Sequence, residues 1–452
     1  MIASLGILLF AAGAAPIAGG PLGLDNPEKE PSAKTTGKVY VWKSADGLAY
    51  EYYVPKGYDP DEGASMTVVL HGNGLDHRWT FWNHPAGEFR ADDIVVSPDG
   101  TTAFENSNEF LGKKKDADQV HALLEELKSV WKVKQTFVYG HSQGSYFAFF
   151  YAGKYPEDVD GVCGHAGYWG PVTISRKGHH QAIGFLWGTE DGNVPYWQGW
   201  YGARDYRDGK YPLVHMKTLF DWPHMPHHFQ AGNVLAWCEG MTSDDPDRVE
   251  ICLEVLADPK HRDREGVDWS GLHAVAHRLA ELEGASKSQQ KRGRQLAAKV
   301  EKLAASHAEA ITKALGRNKL NELASGTWSG HLNRFLEDFE GVLARDDFRS
   351  KHEKTLEKVY KAARDANEDY WKYKEKDVPK AFAAGLEMLE LGYLDARCKG
   401  VLKRMEEWAE EAKDNKLSKK DVKTLGELSK AYAEGRKDGF KKYESLNRKA
   451  KL

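Results

Sequence analysis

Short, nearly continuous apolar runs alternate with helical patterns in the first half of the chain. The runs are rich in β-branched and aromatic residues, which is typical of buried strands. Strands that are apolar along their whole length are expected in a parallel sheet covered on both faces. The predicted strands are KVYVW, AYEYYVP, MTVVLHG, DIVVSPDG, TFVYGHS, GVCGHAG, AIGFLWG and VHMKTLF, the first two forming a hairpin.

A helical pattern fills DADQVHALLEELKSVW, which lies between two of these runs. One stripe at helical spacing carries Val120, Leu123, Leu124, Leu127 and Trp131. Strands that take turns with helices in this way predict an α/β fold, a mostly parallel sheet wrapped by helices.

From about residue 243 the pattern becomes that of helices alone. Gly and Pro become rare, and Ala, Leu, Glu and Lys dominate to the C-terminus. The absence of a fixed-period repeat favours a helical bundle over a solenoid. We therefore predict an α/β domain over 38–242 and an α-helical domain of unknown role over 243–452, which offers a surface for a protein partner or self-association. The expected helix breaks lie near Gly284, Gly316, 326–330, Pro379 and 415–418.

The N-terminal 20 residues form an apolar run followed by small residues, the pattern of a secretory signal peptide. Ala12-Gly13-Ala14 fits a signal-peptidase site, although no Lys or Arg precedes the apolar run. Residues 21–37 are predicted to be a polar linker. We expect an exported protein, periplasmic or extracellular, with no stable membrane span in its mature form.

Composition narrows the function classes. A chain of 452 residues exceeds one ordinary domain, and 41% hydrophobic and 29% charged residues are typical of a soluble globular protein. The net charge of −4 argues against a nucleic-acid partner, because phosphate binding requires a dense basic surface. The four cysteines lack metal-type spacing. Cys238 and Cys252 are close enough in sequence for a disulfide in an oxidising compartment, and buried free thiols are the alternative.

The segment TFVYGHSQGSYFAFF contains the pattern G-x-S-x-G around Ser142. A predicted strand precedes the serine and a predicted helix follows it, so the serine lies in a strand–turn–helix junction. Small residues on both sides are needed there, because the backbone of such a nucleophile is strained and its neighbours pack closely. The alternative is an ordinary tight turn.

A serine hydroxyl becomes a good nucleophile only when a base removes its proton. The segment after the last predicted strand, DWPHMPHH, supplies three candidates. We favour His224, the first after the turn, and expect His227 and His228 to begin the next helix or line the rim of the cleft. Using these histidines as a zinc site would leave Ser142 without its base, so no metal and no cofactor are predicted.

The base in turn needs a carboxylate to fix its tautomer. Asp191 and Glu190 both lie in the turn after AIGFLWG, and we favour Asp191. The glycine-rich turn HGNG follows an earlier strand. Backbone N–H groups of Asn73 and of Gln143, the residue after the serine, are the predicted oxyanion donors. An ordinary tight turn is the alternative for HGNG.

The motifs HGNG, GHSQG, GTEDGNVP and DWPH resemble those of the α/β-hydrolase superfamily, in its order, over about 38–240. The segment VYGHSQGSYFAFFYAGKYPEDVDGV is most similar to polyhydroxybutyrate-depolymerase-like and feruloyl-esterase-like enzymes. This resemblance implies a serine esterase that acts through an acyl-enzyme, with Ser142 as nucleophile, His224 as base and Asp191 orienting the base. The alternatives are a serine peptidase of the same fold and a helical partner-binding protein with a vestigial hydrolase domain.

The segment between the predicted strands GVCGHAG and AIGFLWG is too short for a lid domain, so we expect an open serine that suits bulky, polymeric, carbohydrate or phenolic esters. Aromatic residues in the surrounding loops are the candidate substrate contacts, because flat apolar rings suit sugars and phenolic groups. The alternative is that these rings pack the loops. The candidates are Trp79, Trp82, Trp197 and Trp200.

Overall fold

An eight-stranded sheet forms the centre of the protein. The structure, a computed structural model, describes residues 26–104, 107–111, 114–168, 170, 174, 176–258, 266–315, 326–391 and 395–449. The strand order is β1-β2-β4-β3-β7-β8-β9-β10, and β5 pairs with β6 in a separate hairpin. The strands are β1 (Val39–Lys43), β2 (Ala49–Tyr53), β3 (Ala64–Leu70), β4 (Ile94–Pro98), β5 (Thr102–Phe104), β6 (Ser107–Glu109), β7 (Val133–His141), β8 (Gly161–His165), β9 (Ala182–Gly188) and β10 (Leu213–Leu219).

Helices pack on both faces of this sheet and form the C-terminal half. They are α1 (Trp79–Asn83), α2 (Lys114–Val130), α3 (Gln143–Lys154), α4 (Trp197–Asp208), α5 (His228–Thr242), α6 (Pro246–Ala257), α7 (Trp269–Glu281), α8 (Lys287–Leu315), α9 (Gly326–Asp338), α10 (Leu343–Tyr373), α11 (Val378–Leu391), α12 (Asp395–Glu410) and α13 (Lys419–Lys449).

The eight predicted apolar runs are the eight strands of the sheet. β1 and β2 pair antiparallel, β2 pairs antiparallel with β4, and the remaining neighbours are parallel. Val68 and Leu70 of β3 belong to the core on one face, and Val69 between them belongs to the core on the other. Both faces are covered, which explains why the runs are continuously apolar. The mostly parallel sheet with flanking helices is that of the α/β-hydrolase fold.

The helical half confirms most of the predicted breaks. Gly284 has a positive φ of 86° between α7 and α8, Pro379 lies in the first turn of α11, and 415–418 separates α12 from α13. The predicted break at 326–330 is wrong, because these residues begin α9. The break near Gly316 lies outside the described residues.

The core on one sheet face continues across the junction near residue 242. Val69 and Leu219 of the sheet, Leu253 of α6, Val275 of α7 and Phe335 of α9 belong to one cluster of buried side chains. A second cluster lies within α10 to α13, around buried Phe382 and Trp408. The first helices of the C-terminal half therefore complete the packing of the sheet.

Cys163, Cys238 and Cys252 are buried free thiols, so of the two alternatives for Cys238 and Cys252 the structure has the free thiols and not the disulfide. The side chain of Cys398 lies outside the described residues, as do the expected signal peptide and the first part of the linker. Among the helices that the structure describes, none is long and apolar enough to cross a membrane.

Candidate active site

Ser142 lies in the turn between β7 and α3. Its backbone has φ 54° and ψ −118°, a region that residues other than glycine rarely occupy. The Ser142 N–H donates to the carbonyl of His165 at 2.8 Å, and the Ser142 carbonyl accepts the N–H of Ser145 at 3.0 Å. The structure thus holds the strained turn from both sides, as the G-x-S-x-G pattern predicts.

The close packing around Ser142 leaves no room for a side chain at two neighbouring glycines. A Cβ added to Gly140 would lie 2.2 Å from the Gly144 carbonyl oxygen, and one added to Gly144 would lie 2.2 Å from the Leu70 carbonyl oxygen. Neither position has room for a methyl group, because Gly140 approaches the backbone of α3 and Gly144 approaches the backbone of β3. These contacts set the start of α3 against the ends of β7 and β3.

Ser142, His224 and Asp191 form one hydrogen-bonded chain. The Ser142 hydroxyl lies 3.0 Å from Nε2 of His224, and Nδ1 of the same ring lies 2.7 Å from Oδ2 of Asp191. The other oxygen of Asp191 accepts the N–H groups of Asn193 and Val194 at 2.9 and 2.7 Å. With Nδ1–H donating to the carboxylate, Nε2 is free to accept the serine proton.

The loops that carry Asp191 and His224 are also bonded to each other. The Thr189 N–H donates to the Leu219 carbonyl at 2.9 Å, and the Thr189 hydroxyl accepts the Asp221 N–H at 2.9 Å. The Glu190 N–H donates to the Trp222 carbonyl at 3.0 Å. These bonds fix the spacing between the carboxylate and the imidazole.

The alternatives that the sequence left open occupy other environments. Glu190 is exposed, whereas the Asp191 carboxylate is buried. His227 is buried at the start of α5 and packs on the Trp222 ring with centroids 4.4 Å apart, and His228 begins that helix. Among the described residues, His224 is the histidine whose ring bonds to the Ser142 hydroxyl.

The HGNG turn lies beside the serine. A Cβ on Gly72 would lie 3.4 Å from the Ser142 Cβ, so this turn approaches the hydroxyl closely. The side-chain Nε2 of Gln143 donates to the side-chain Oδ1 of Asn73 at 3.4 Å, so the side chains of the two predicted donor residues are in contact. The role of the Asn73 and Gln143 backbone N–H groups as oxyanion donors stays a prediction.

The sequence did not predict a glutamate beneath this turn. Buried Glu109, at the end of the β5–β6 hairpin, accepts the Gly74 N–H at 2.6 Å and the Ser107 hydroxyl at 2.9 Å. The Phe110 N–H donates to the Gln143 side chain at 3.1 Å. The end of the hairpin therefore bonds to the HGNG turn at Gly74 and to the side chain of Gln143.

Buried histidines lie close to the base. The His141 ring lies between the Trp79 ring, at a centroid distance of 5.6 Å, and the His224 ring, at 4.9 Å. Burial lowers the pKa of His141 and His165 well below the ordinary value, and burial lowers that of His84 to about 3. These rings are therefore neutral at pH 7, and they place no positive charge beside His224.

The four predicted substrate-contact tryptophans divide into two groups. Trp79 is 6% exposed and packs beneath the site, so its predicted role at the rim is wrong. Trp82, Trp197 and Trp200 are 59%, 39% and 52% exposed. The latter two lie three residues apart on α4, which follows the loop of Asp191.

One described cluster carries atoms suited to a metal ion. The ligand atoms of His121, Glu125 and Asp158 lie within 4.8 Å of one another. Asp158 already accepts the Tyr151 hydroxyl at 2.8 Å, and Lys128 lies 4.0 Å from its other oxygen. The cluster lies at the far end of α3 from Ser142, so it takes no part in the candidate active site.

The strand order and the Ser142 turn define the protein as one with an α/β-hydrolase fold. No family model matches the chain, and no curated protein matches its sequence. Similar solved structures include a thermostable esterase, with TM-score 0.33 and 18% identity over 40% of this chain, which spans about half (54%) of that protein. A ferulic acid esterase from the anaerobic fungus Anaeromyces mucronatus gives TM-score 0.35 and 13% identity over 46% of this chain and 91% of its own. SOBER1 of Arabidopsis thaliana gives TM-score 0.33 and 14% identity over 40% and 99%.

Proposed function

We propose that the protein is a serine hydrolase that cleaves carboxylic esters through an acyl-enzyme intermediate. The observation that carries this proposal is the chain of hydrogen bonds from Asp191 through His224 to the strained Ser142. A nucleophile, a base within hydrogen-bond reach and a carboxylate that orients the base together form the arrangement used for acyl transfer.

In the proposed reaction, Nε2 of His224 takes the Ser142 proton as Oγ bonds to the ester carbonyl carbon. The carbonyl oxygen becomes an oxyanion that the N–H groups of Asn73 and Gln143 stabilise. The imidazolium then gives its proton to the leaving alcohol, the carbon–oxygen bond breaks, and an acyl group remains on Ser142. Water attacks this ester with His224 again as base, which releases the acid and restores the serine.

The exposed tryptophans support bulky, polymeric, carbohydrate or phenolic esters as the substrate class. Trp82 follows the HGNG turn in the sequence, Trp197 and Trp200 follow the loop of Asp191, and all three rings are exposed. Large aromatic faces in water favour contact with sugar or phenolic rings.

The test is hydrolysis of nitrophenyl esters, methyl ferulate and a peptide anilide by the purified protein and by Ser142→Ala. We expect ester turnover that falls at least about 1000-fold in Ser142→Ala, with the fold retained. Ser129→Ala, at an exposed serine of α2, is the matched control and should be fully active. A fluorophosphonate should label Ser142 in a mass-spectrometric digest. Equal ester turnover in Ser142→Ala would refute the proposal, and a preference for the anilide would indicate a peptidase.

A further inference from the structure

The C-terminal end of α9 contacts both loops of the proposed triad. The Tyr196 hydroxyl donates to Oε2 of Glu337 at 2.8 Å and lies 3.0 Å from the Thr218 hydroxyl. Tyr196 stands five residues after Asp191, and Thr218 lies in β10, six residues before His224. The carboxylate of Glu337 thus lies where the segment after Asp191 meets the strand that leads to His224.

The neighbouring residue of α9 strengthens this contact. Asp338 accepts the Lys217 ammonium at 3.0 Å and the Tyr443 hydroxyl at 2.6 Å, and its side chain and that of Lys217 are at most 4% exposed. Lys217 and Thr218 are adjacent in a strand, so their side chains point to opposite faces of the sheet. The end of α9 therefore reaches around β10, the last strand of the sheet, and contacts both faces.

A third contact lies where β10 ends. The Arg334 guanidinium stacks over the buried Phe220 ring at 4.1 Å, and Phe220 leads into the turn that carries His224. The end of β10 and the loop of Asp191 are thus in contact with one turn of α9, through an aromatic ring, an ion pair and a tyrosine hydroxyl.

We infer that Glu337 is a positioning residue for the proposed ester hydrolysis and that the helical half belongs to the catalytic unit. Glu337 holds Tyr196 against Thr218, and this bond keeps the loops of Asp191 and His224 in register. The inference rests on the proposed function. A displacement of a catalytic group by about 1 Å lowers rates by as much as about 100-fold, so a loose loop reduces turnover without removing substrate contacts.

The experiment measures kcat and KM separately for full-length Tyr196→Phe, Glu337→Ala and Glu337→Gln on a nitrophenyl ester. We expect kcat to fall about tenfold in the first two variants, with KM within about twofold of wild type. Glu337→Gln keeps an oxygen that accepts the Tyr196 hydroxyl, so it should retain most of the activity. The double variant Tyr196→Phe/Glu337→Ala should lose no more than either single variant, because both remove the same bond.

Tyr151→Phe is the matched control. It removes another buried tyrosine–carboxylate bond, from Tyr151 to Asp158 at 2.8 Å, at the end of α3 remote from Ser142. It should lower the melting temperature and leave kcat unchanged. Wild-type kcat in Tyr196→Phe and Glu337→Ala would overturn the inference, and so would an equal kcat loss in Tyr151→Phe. Wild-type protein that neither hydrolyses esters nor reacts with a fluorophosphonate would instead overturn the proposed function, and the inference with it.

Discussion

At the scale of residues, the reactivity proposed for Ser142 depends on the glycines that adjoin it. The turn at Ser142 is strained, and strain of this kind costs about 1–3 kcal/mol and persists only where neighbouring structure holds it. Gly140 and Gly144 allow β7 and α3 to close on this turn, because each would place a Cβ within 2.2 Å of backbone. The backbone conformation of Ser142, and with it the proposed reactivity of its hydroxyl, therefore depends on these two glycines.

Gly144→Ala should destabilise the protein by about 3 kcal/mol and abolish ester hydrolysis, because the methyl group pushes α3 away from the Leu70 carbonyl. Urea unfolding followed by circular dichroism measures the change. Gly192→Ala is the matched control, since a Cβ there has nothing within 4 Å. A Gly144→Ala protein as stable as wild type would contradict the close approach.

His224→Ala should reduce kcat/KM by about 1000-fold or more, because no other group then accepts the Ser142 proton. His228→Ala, which alters the first residue of α5, should stay within about threefold of wild type. Steady-state kinetics on a nitrophenyl ester distinguishes the two variants. The reverse ranking would mean that the base has been misassigned.

At the scale of elements, the sequence predicted the sheet well because each strand is apolar on both faces. The β5–β6 hairpin was missed, since three-residue strands such as Thr102–Phe104 show no periodic pattern. The start of α9 was missed because Gly326 and Gly330 disfavour a helix, although the rest of the helix packs into the core. Trp79 was predicted at the rim of the site, and it is buried. The sequence around it does not show which side of the short helix α1 faces the core.

The sequence predicts the residues of the site that lie in recognisable motifs, because the order of these motifs along the chain is informative. Ser142, Asp191 and His224 each follow a strand in the predicted order, and the structure brings all three together. The bond between Tyr196 and Glu337 joins residues 141 positions apart, in segments that lack a shared motif. No pattern within either segment indicates such a contact, so it becomes visible only in the folded chain.

The end of α9 should make stability depend on pH. Burial raises the pKa of Glu337 from its ordinary value of 4.5 to about 7. A carboxyl with a raised pKa favours the folded state while it is protonated, so its contribution is complete below about pH 4.5 and is lost as pH rises through about 7. For a fully buried carboxyl, this pKa shift would change the free energy of unfolding by about 3 kcal/mol. The Glu337 side chain is partly exposed, so we expect a change of roughly 2 kcal/mol.

Glu337→Gln removes this titration, and the comparison isolates it. Between pH 5 and 8, the free energy of unfolding should fall less in Glu337→Gln than in wild type, as measured by urea unfolding at several pH values. Identical pH profiles for the two proteins would show that the carboxyl titrates alike in the folded and unfolded chains.

At the scale of the whole molecule, the sheet and the helical half share one core. Leu253, Val275 and Phe335 pack in the same cluster as Val69 and Leu219. Arg248 of α6 donates to buried Glu239 of α5 at 2.7 Å, which adds an ion pair across the junction. The two halves differ in pattern along the sequence and still depend on each other for burial.

A chain that ends at residue 242 should therefore fail to fold into a soluble, cooperative unit, because its sheet would expose a large apolar surface. Circular dichroism and thermal melts of the fragment check this expectation, with the full chain as control. Co-expression with residues 243–452 should restore soluble protein if the shared core is the cause. A fragment that melts like the full chain would contradict this account.

The two outer strands of the sheet have a consequence for self-assembly. An exposed edge strand is a template on which another polypeptide adds by backbone pairing, which leads to domain swapping and fibrils. Here the end of α9 wraps around β10, one edge strand of the sheet. The other edge strand, β1, is partly paired, because the Lys29 N–H donates to the Val41 carbonyl at 3.1 Å. Both edges of the sheet are thus partly covered in the folded protein, and this cover disfavours pairing between two copies edge to edge.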